Sequence, residues 1–531
     1  MSRAWDTERM SLAPAVAGWA ATRPGAIALR CGPQSLTWAE LDQAMTDFVA
    51  ILRERGIAAG DRVVLLGENS VPWVVAFLGC LRAQAVVVPM NTRLAATQMA
   101  RQIAKVQATL VLHDACVRLD EIDLAGAQSL ELPVPVSVPL PVPRSPQEPA
   151  LSSPAIEEVA SPEAPALISF SSGTTGTPKG AVISGAALGE LAHSFADYFG
   201  TGPHDSTLIV VPIFHNTGFA DQLAHLVVAG GTTNLLPRYR TEEAAAELIA
   251  HPVTFLAAVP SILRMLMLHE DAEAIFGGVR TIMYGGSPMP EAWVHELQRR
   301  WPHLALVHGY GLSEFTSVCT FLPSGLAATK AESVGRPLPG VDLRLVDETG
   351  GDVEPGGLGE VWLAGPTRMI GYWDEPGLTA ARFAGRWLRT GDLGRVDADG
   401  LLWLHGRADE VINRGGEKIM PTYVESQIVR QDPVAAACAF GYPDDVLQER
   451  VAAAIELRPG AVLDEQELAR ALRARLPDYA IPDRWMVYDA LPVNASGKFD
   501  RKVLRADLMA TPRPTPPDHH PNPAAITQQE A

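Results

Sequence analysis

Cysteine, long apolar runs and positive charge are all scarce in this sequence, and each shortage excludes a class of protein. The most apolar stretch, residues 71–90, is interrupted by Arg82 and Gln84 and is too polar for a lone membrane-spanning helix. The 43 Lys and Arg residues against 61 Asp and Glu give a formal charge of -18, which disfavours nonspecific binding to nucleic acid or anionic membranes. The cysteines stand apart without CxxC or His/Cys pairing, and so indicate neither disulfides nor a zinc site: Cys31, Cys80, Cys116, Cys319 and Cys438. We therefore predict a cytoplasmic protein without an integral membrane segment.

The N-terminal part of the chain alternates apolar strand patterns with amphipathic helix patterns. Thr37 and Glu40 form a capping-box signature before an amphipathic run that continues through Leu52. Further predicted elements are strands at 63–66, 86–88 and 110–113 and helices at 71–81 and after Leu94. Such alternation indicates right-handed βαβ crossovers and a parallel sheet. The predicted fold class is therefore α/β, with doubly wound sheets in a large N-terminal domain.

Three later segments have a different texture. Residues 132–166 repeat proline every few positions, which predicts a semi-extended surface connector because proline lacks the backbone NH that helices and central strands need. Past Gly335, the strings GVDLRLVD and GEVWLAG predict short antiparallel strands of a β subdomain at about 335–405. The tail, residues 511–531, has too few large apolar residues to join a core and is predicted to be disordered.

A compact α+β domain is predicted between the β subdomain and the tail. Strand patterns at 434–440 and 451–457 precede a helix pattern that starts at Asp464. We therefore divide the chain into a large domain of residues 1–408 and a small, mobile C-terminal domain of residues 409–510, with the hinge at Asp409.

A string rich in Gly, Ser and Thr carries the first chemical signal. After an apolar strand pattern at 167–170 comes SSGTTGTPKG, whose hydroxyl and glycine NH groups could surround phosphate oxygens while Lys179 supplies charge. A Walker A loop would need GK followed by Ser or Thr, whereas Pro178 precedes Lys179 and Gly180 follows it, so a P-loop kinase or GTPase is disfavoured. The predicted phosphate-binding residues are Ser171, Ser172, Gly173, Thr174, Thr175, Gly176 and Lys179.

This string resembles that of the adenylate-forming superfamily, which comprises acyl-CoA synthetases, carrier-protein adenylation domains and firefly luciferase. The resemblance spans almost the whole chain, from SLTWAELD to PVNASGKFDRKVLR, with motifs in the family's order. It implies an AMP-forming acid–thiol ligase, an acyl-CoA synthetase, that uses ATP, Mg²⁺ and a small-molecule carboxylic acid, with coenzyme A as co-substrate. A homodimer is left open.

The resemblance also assigns roles around the nucleotide. In HGYGLSE, Tyr310 would stack on adenine, Ser313 would offer its hydroxyl to phosphate, and Glu314 would hold Mg²⁺. Ser313 is a mild departure, because the family more often has Thr there. Together with the phosphate loop, the predicted ATP- and AMP-binding residues are Gly286, Ser287, Pro288, His308, Gly309, Tyr310, Gly311, Leu312, Ser313, Asp392, Arg407 and Lys498.

Three of these residues, and the residues assigned to coenzyme A, belong to motifs nearer the C-terminus. Asp392 in TGDLG resembles the family's acceptor for the ribose hydroxyls, and Arg407 in GRADE resembles its phosphate and ribose partner. Lys498 in PVNASGK matches the family's C-terminal catalytic lysine, which joins Lys179, Ser313, Glu314 and His215 as the predicted catalytic set. The coenzyme A arm would pass along Gly415, Gly416 and Lys418.

The acyl pocket is the least determined part. The segment VVPIFHNTGF places His215 after a strand pattern at 208–211, where the family keeps an aromatic or His side chain beside the acyl group. The predicted pocket residues are Phe214, His215, Asn216, Thr217, Gly285 and Gly309. The small residues among them leave room for a sizeable apolar acid, so we predict a medium or longer fatty acid, and an aromatic or alicyclic acid fits the same description.

Three alternatives stay open at this stage. The acyl group could be loaded onto a carrier protein instead of coenzyme A, although no carrier domain is fused to the chain. A luciferase-type oxidation would need a further oxygen-reactive substrate. A noncatalytic homologue that only binds nucleotide is disfavoured because Lys179, Glu314, Asp392, Arg407 and Lys498 are all retained.

Overall fold

The computed structural model describes residues 12–132, 161, 163–171, 178–286, 289–415, 417–494 and 499–510. These residues form two compact units, one that ends at Leu404 and one that begins at His405. Several predicted features lie outside the described residues, namely most of the proline-rich connector, the tail, and the site residues Ser172, Gly173, Thr174, Thr175, Gly176, Ser287, Pro288, Gly416 and Lys498. Among the residues that are described, no helix is both long and apolar enough to cross a membrane.

The strands fall into four sheets, three of them in the first unit. In chain order the strands are β1 (Ile27–Cys31), β2 (Gln34–Thr37), β3 (Arg62–Leu66), β4 (Val86–Pro89), β5 (Leu110–His113), β6 (Gln128–Glu131), β7 (Pro165–Ser171), β8 (Lys179–Ser184), β9 (Ser206–Ile209), β10 (Thr232–Leu235), β11 (Phe255–Ala258), β12 (Thr281–Gly285), β13 (Ala305–Gly311), β14 (Val318–Leu322), β15 (Arg336–Pro337), β16 (Asp342–Val346), β17 (Gly359–Ala364), β18 (Gly371–Tyr372), β19 (Phe383–Ala384), β20 (Trp387–Val396), β21 (Leu402–Arg407), β22 (Ile412–Arg414), β23 (Glu417–Ile419), β24 (Val434–Asp444), β25 (Gln448–Leu457) and β26 (Arg484–Tyr488).

The helices lie between these strands in the alternation that the sequence predicts. They are α1 (Leu12–Thr22), α2 (Trp38–Glu54), α3 (Val71–Arg82), α4 (Ala96–Val106), α5 (Gly185–Phe199), α6 (Asn216–Gly218), α7 (His225–Ala229), α8 (Thr241–Ala250), α9 (Pro260–Leu268), α10 (Ala272–Gly277), α11 (Glu291–Arg300), α12 (Pro376–Arg382), α13 (Pro421–Val429), α14 (Glu465–Arg473) and α15 (Arg501–Ala510). A π-helical turn, Phe219–Ala224, joins α6 to α7.

Two large sheets of the first unit are parallel at their centres and antiparallel at one or both edges. The nine-stranded sheet has the order β15-β14-β13-β12-β11-β9-β10-β1-β2, and the seven-stranded sheet has the order β18-β8-β7-β4-β3-β5-β6. The β9 to β13 and β3 to β5 neighbours pair in parallel, which requires the helical crossovers seen in the sequence pattern. The predicted doubly wound α/β class is confirmed.

Local sequence signals explain the first helices. Thr37 Oγ1 accepts a hydrogen bond from the Glu40 NH, and the Glu40 carboxylate accepts one from the Thr37 NH, so the predicted capping box forms and α2 begins at Trp38. Ser70 caps α3, whose residues from Val71 to Cys80 are almost all buried. The most apolar stretch is therefore a buried helix followed by the buried strand β4, as predicted.

The remaining sheets match the predicted change of texture. In the first unit, β16 and β17 pair antiparallel and continue to β20 and β19. In the second unit, the long strands β24 and β25 pair antiparallel and β26 joins β25 in parallel. Asp464 caps α14 by accepting a hydrogen bond from the Glu467 NH at 2.9 Å.

Two boundaries differ from the sequence pattern. The strand predicted at 208–211 ends at Ile209, because the buried Asn69 side chain donates to the carbonyls of Ile209 and Val211 and accepts from the Ile213 NH. The Asn69 side chain therefore supplies hydrogen-bond partners for the backbone from Ile209 to Ile213, and the Ile209 carbonyl also accepts from the Leu236 NH at 3.2 Å. Strand β7 begins at Pro165, inside the predicted connector, which is allowed because proline is tolerated as the first residue of a strand.

Candidate active site

The ends of the Gly, Ser and Thr-rich string are fixed by an antiparallel pair. Ser171, the last residue of β7, pairs with Lys179, the first residue of β8. Lys105 of α4 donates from Nζ to the Pro178 carbonyl at 3.1 Å and to Glu375 Oε1 at 2.6 Å. Those two bonds hold the chain just before the half-buried Lys179, and the Lys105 ammonium lowers the pKa of the Glu375 carboxyl. Lys105 was not predicted as a site residue, since a lysine on an amphipathic helix carries no distinguishing pattern.

His215 lies on the loop between β9 and α6, at the carboxyl end of a parallel strand. The Asn69 bonds described above hold this loop, and the Phe214 ring lies 4.6 Å from the imidazole, centroid to centroid. Burial and the positive charge of Arg93 lower the pKa of His215 to about 4. The imidazole is therefore neutral at physiological pH, so it can exchange hydrogen bonds with a substrate without adding a charge.

Asn216 and Thr217 begin the helical segment that follows His215. The Asn216 amide nitrogen donates to the Thr316 carbonyl, and its Oδ1 accepts from Ser169 Oγ at 2.9 Å. Asn216 thus ties β7 to the turn that follows Glu314. The Thr217 carbonyl accepts from Gln222 Nε2 at 3.1 Å.

The glycines predicted to line the acyl pocket are closely packed. Gly285 and Gly309 are partners in register on β12 and β13, and a Cβ atom on Gly285 would lie 2.6 Å from the Gly309 carbonyl oxygen. A Cβ atom on Gly309 would lie 3.3 Å from the Phe321 ring and from the Val318 methyl groups. These glycines therefore allow the close approach of strands and side chains. Phe321 and Val318 take up the space on the side of Gly309 where a Cβ atom would point, and the size of the acyl pocket stays a prediction.

Tyr310 and Asp392 are neighbours, as the predicted adenine and ribose residues should be. The Tyr310 hydroxyl donates to Asp392 Oδ2 at 2.5 Å, although 82 positions separate the two residues in the sequence. Burial, together with the Asp392 charge, raises the pKa of Tyr310 well above its usual value, so the hydroxyl stays a donor. Two positions before Tyr310 on β13, His308 is buried, stacks on Tyr284 with 4.9 Å between ring centroids, and has Nδ1 at 2.9 Å from the Ser333 carbonyl oxygen.

Ser313 and Glu314 form a short 3₁₀ turn directly after β13. Thr316 ends this turn with φ of 66°, a strained conformation for a β-branched residue, and its Oγ1 donates to the Thr367 carbonyl at 2.6 Å. The Glu314 carbonyl accepts from the Met369 NH at 2.9 Å. Since strain of this kind persists only where the surroundings enforce it, the direction of Glu314 is set by tertiary contacts.

Tyr372 orients the Glu314 carboxylate and was not identified from the sequence. Its hydroxyl donates to Glu314 Oε1 at 2.7 Å and accepts from Arg382 Nε at 3.3 Å. Mg²⁺ prefers oxygen ligands and commonly takes one or two carboxylates together with phosphate oxygens. A held, half-buried carboxylate beside the predicted phosphate loop fits that ion. No group of three or more His, Cys, Asp or Glu side chains that could hold a metal occurs among the described residues, so an all-protein metal cage is not found there.

A cavity of about 520 Å³ lies at the carboxyl ends of β3, β4, β5, β9 and β10. Arg93, Arg118 and Arg238 line it, together with Phe214, the neighbour of His215. Two carboxylates also line it: Glu68 is paired with Arg238, and Glu121 lies 2.9 Å from Arg118. The cavity therefore combines guanidinium groups with an apolar wall.

The second unit carries the remaining predicted residues. Arg407 Nε lies 3.1 Å from Asp409 Oδ1, the predicted hinge residue, within the turn Ala408–Glu410. Gly415, with φ of 60°, directly follows β22. Strands β22 and β23 pair in register from Arg414 and Glu417, so Gly415 lies at the end of a hairpin whose second strand carries the exposed Lys418.

Lys498 lies outside the described residues, but the chain on both sides of it is held. Val493 and Phe499 form an antiparallel bridge. Arg501 then lies 3.1 Å from Glu410 and 2.7 Å from Glu425. Arg501 Nε also donates to the Ala439 carbonyl at 3.1 Å.

The first unit thus has the fold and the polar constellation of an adenylate-forming enzyme. The chain matches the AMP-binding enzyme family over residues 16–373 and the AMP-binding enzyme C-terminal domain over residues 423–498. It therefore belongs to the AMP-binding enzyme family, as its motifs predict. This is the family of AMP-forming acyl-CoA synthetases, which use ATP with Mg²⁺ and coenzyme A as co-substrate.

Individual relatives differ in the acid they are named for. An indoleacetate–CoA ligase from Aromatoleum aromaticum is 30% identical over 499 residues, 92% of this chain and 96% of the relative. A long-chain-fatty-acid–CoA ligase from Mycobacterium tuberculosis is 31% identical over 480 residues, 90% and 94% of the two chains. Among solved structures, an o-succinylbenzoate coenzyme A synthetase from Bacillus subtilis, in complex with ATP and a magnesium ion, is 27% identical with a TM-score of 0.81, covering 93% and 99%. The predicted enzyme class is confirmed, and the acid differs from one relative to the next.

Proposed function

We propose that this protein joins a carboxylic acid to coenzyme A in two steps, through an acyl-adenylate. The observation that carries the proposal is the convergence after β13: Tyr310 is bonded to Asp392, and Glu314 is oriented by Tyr372. These four side chains come from three separate parts of the sequence and form two bonded pairs, and Tyr372 lies on β18, which pairs with β8, the strand that carries Lys179. That arrangement suits a nucleotide whose ribose, base and phosphates must all be held at once.

In the first step the acid's carboxylate attacks the α-phosphorus of ATP and pyrophosphate leaves. An ionised carboxylate is already a nucleophile, so no general base is needed, and the neutral His215 is consistent with a role in packing and hydrogen bonding. Negative charge develops on the phosphoryl oxygens. Lys179 and Lys498 supply positive charge opposite these oxygens, and Mg²⁺ held by Glu314 would supply more.

In the second step a thiol attacks the acyl carbonyl and AMP leaves. Lys498 has no part in this step, and the turn at Gly415 and Gly416 guides the pantetheine arm instead. A hinge at Asp409 would allow the second unit to exchange one of these segments for the other between the two steps. The arginine-lined cavity beside Phe214 supports coenzyme A as the acceptor, because its nucleotide portion is strongly anionic. A carrier protein remains the alternative acceptor.

A fatty acid is our first candidate for the acid, in line with the apolar wall at Phe214 and the predicted pocket. A second candidate, an aromatic or other compact acid, is in line with the close packing at Gly309, where a Cβ atom would lie 3.3 Å from Val318 and Phe321. The relatives named for indoleacetate and for long-chain fatty acids keep both candidates in the same family.

The test is acid-dependent pyrophosphate release by the purified full-length chain with Mg²⁺ and ATP, across aliphatic and aromatic acids. Turnover that requires coenzyme A and yields an acyl-CoA would support the proposal. Acid-dependent exchange of labelled pyrophosphate into ATP, with transfer only to a phosphopantetheinylated carrier protein, would favour the alternative acceptor. If no acid promotes exchange, the adenylation proposal is wrong.

A further inference from the structure

Asp221 is a buried carboxylate on the helical segment that follows His215. Its side chain is 1% exposed, and it lies in the π-helical turn Phe219–Ala224. Ser317 Oγ donates to Asp221 Oδ2 at 2.9 Å, whereas Oδ1 is buried with no hydrogen-bond partner in the part of the chain that the structure describes. A buried carboxylate oxygen without a donor is costly, and native structures rarely keep one without a reason.

The next residue, Gln222, does not share this feature, although His225 Nδ1, directly after the turn, is also buried without a hydrogen-bond partner among the described residues. Gln222 is also fully buried, but both ends of its amide are bonded: Oε1 accepts from Thr207 Oγ1 at 2.9 Å, and Nε2 donates to the Thr217 carbonyl. The π-helical turn therefore satisfies one of its two central polar side chains completely. π-Helical turns are often found at functional sites, where the extra residue redirects side chains.

Asp221 lies on the helical segment that begins with the predicted acyl-pocket residues Asn216 and Thr217. It follows His215 by six positions on the same segment, and its partner Ser317 precedes Val318, whose methyl groups face Gly309. The Ser317 carbonyl also packs against Gly311 so closely that a Cβ atom there would lie 2.0 Å away. The two elements that bracket the Asp221 carboxylate thus both carry residues predicted to line the acyl pocket or the nucleotide site.

We infer that Asp221 determines specificity by accepting a hydrogen bond from the acid substrate, which therefore carries a hydroxyl or NH group on its acyl portion. This inference rests on the proposed function. Oδ2 is already occupied by Ser317, so Oδ1 is the atom that receives the substrate's donor. Within the two candidate classes, a hydroxylated fatty acid or a ring-substituted aromatic acid should therefore bind better than its unsubstituted form, which would leave that oxygen desolvated and unpaired.

The test compares pairs of acids that share one carbon skeleton and differ only by a hydroxyl or amino group, such as phenylacetate with its ring-hydroxylated and ring-amino forms, and alkanoates with their hydroxylated forms. Acyl-CoA formation is followed at pH 8, where the carboxylate is ionised. The wild-type enzyme should prefer the donor-bearing member of at least one pair by about 10- to 100-fold in kcat/KM, the usual range for a hydrogen bond to a charged group. Asp221→Asn should reduce that ratio to about threefold or less, because the amide offers a weaker acceptor and adds a donor.

Asp205→Asn is the matched control. Asp205 is a buried carboxylate just before β9, at the opposite end of that strand from His215, where it pairs with Arg280 at 3.2 Å. The control has the same change of charge and should keep the wild-type preference. The ratio of kcat/KM values for the two acids of each pair is measured on the wild-type enzyme, so this part of the test does not depend on whether any variant folds.

Two outcomes would overturn the inference. One is turnover of both members of every pair with equal kcat/KM by the wild-type enzyme; the other is an equal loss for both members in Asp221→Asn. Either leaves the ligase activity standing. A complete lack of AMP formation with every acid would instead count against the proposed function itself.

Discussion

Tyr310 and Asp392, where we place ATP, satisfy each other, whereas Asp221, where we place the acid, keeps one buried oxygen without a partner among the described residues. On the nucleotide side the key polar groups are held by a neighbouring side chain before any ligand arrives. On the acyl side, glycines are packed against their neighbours and one acceptor is left over. The difference teaches that the nucleotide site is preorganised for a ligand shared across the family, while the acyl site is specialised by single residues.

The largest expected effect concerns the two half-reactions. Lys498→Ala should lower the rate of acyl-adenylate formation by about 10³-fold, because a charge opposite the developing phosphoryl charge is lost, and should leave thiolysis of supplied acyl-AMP nearly unchanged. Rapid-quench measurement of each half-reaction separates the two. Lys502→Ala, a change at an exposed lysine four positions later, is the control. An equal loss in both half-reactions would break the division of roles between nucleotide chemistry and acyl transfer.

Asp392→Asn tests preorganisation on the nucleotide side. The amide loses one acceptor for the ribose hydroxyls and weakens the bond from Tyr310, so we expect the KM for ATP to rise about 10- to 50-fold with little change in the KM for the acid. Asp397→Asn is a matched change just past β20, where Asp397 is bonded to Lys330 and Trp403. Should the acid KM rise as much as the ATP KM, the two sides would not be separable.

Asp221→Asn also changes how stability depends on pH. Burial raises the pKa of Asp221 from about 3.8 to about 7, so its ionisation destabilises the folded state increasingly from about pH 4 to 7, and the destabilisation then levels off. The variant's gain in free energy of unfolding over wild type should therefore be larger at pH 8 than at pH 5, by about 1–3 kcal/mol. Urea denaturation at the two pH values measures this. If the difference in free energy of unfolding between variant and wild type does not vary with pH, the ionised Asp221 carboxylate is instead stabilised by a hydrogen-bond donor.

Tyr372→Phe is expected to have the smallest effect. It removes the hydroxyl that holds Glu314 Oε1 but leaves the carboxylate itself, so the Mg²⁺ concentration for half-maximal rate should rise about 3- to 10-fold. Saturating Mg²⁺ should restore most of the rate, which a general loss of folding would not permit. Tyr488→Phe, which removes a tyrosine bond to Asp507 in the second unit, is the control and should leave the Mg²⁺ titration unchanged.

Helix and strand positions were readable from the sequence wherever a local signal was strong. The Thr37 and Glu40 capping box, the buried helix at 71–81 and the strand at 110–113 all appear as predicted, because their causes lie within a few residues. The end of β9 was not predictable, since the Asn69 side chain that binds the backbone there comes from 140 positions earlier.

Site residues divide in the same way. The motif residues Tyr310, Glu314 and Asp392 could be named from their strings, but their supporting residues could not. Tyr372 carries no local signal. Asp221 did carry one that was overlooked: it is the one acidic residue in the mostly apolar run GFADQLAHLVVAG.

The sequence by itself determined the family, the alternation of helices and strands, and the chemical types of the motif side chains, because these depend on local patterns and on strings of defined order. Only the tertiary structure decided which oxygen atoms are already paired and which glycines have space beside them. Those properties depend on side chains that are brought together from distant positions. The bond between Asp221 and Ser317, 96 positions away, is one such contact. It leaves the second Asp221 oxygen for the hydrogen-bond donor that we infer on the acid substrate.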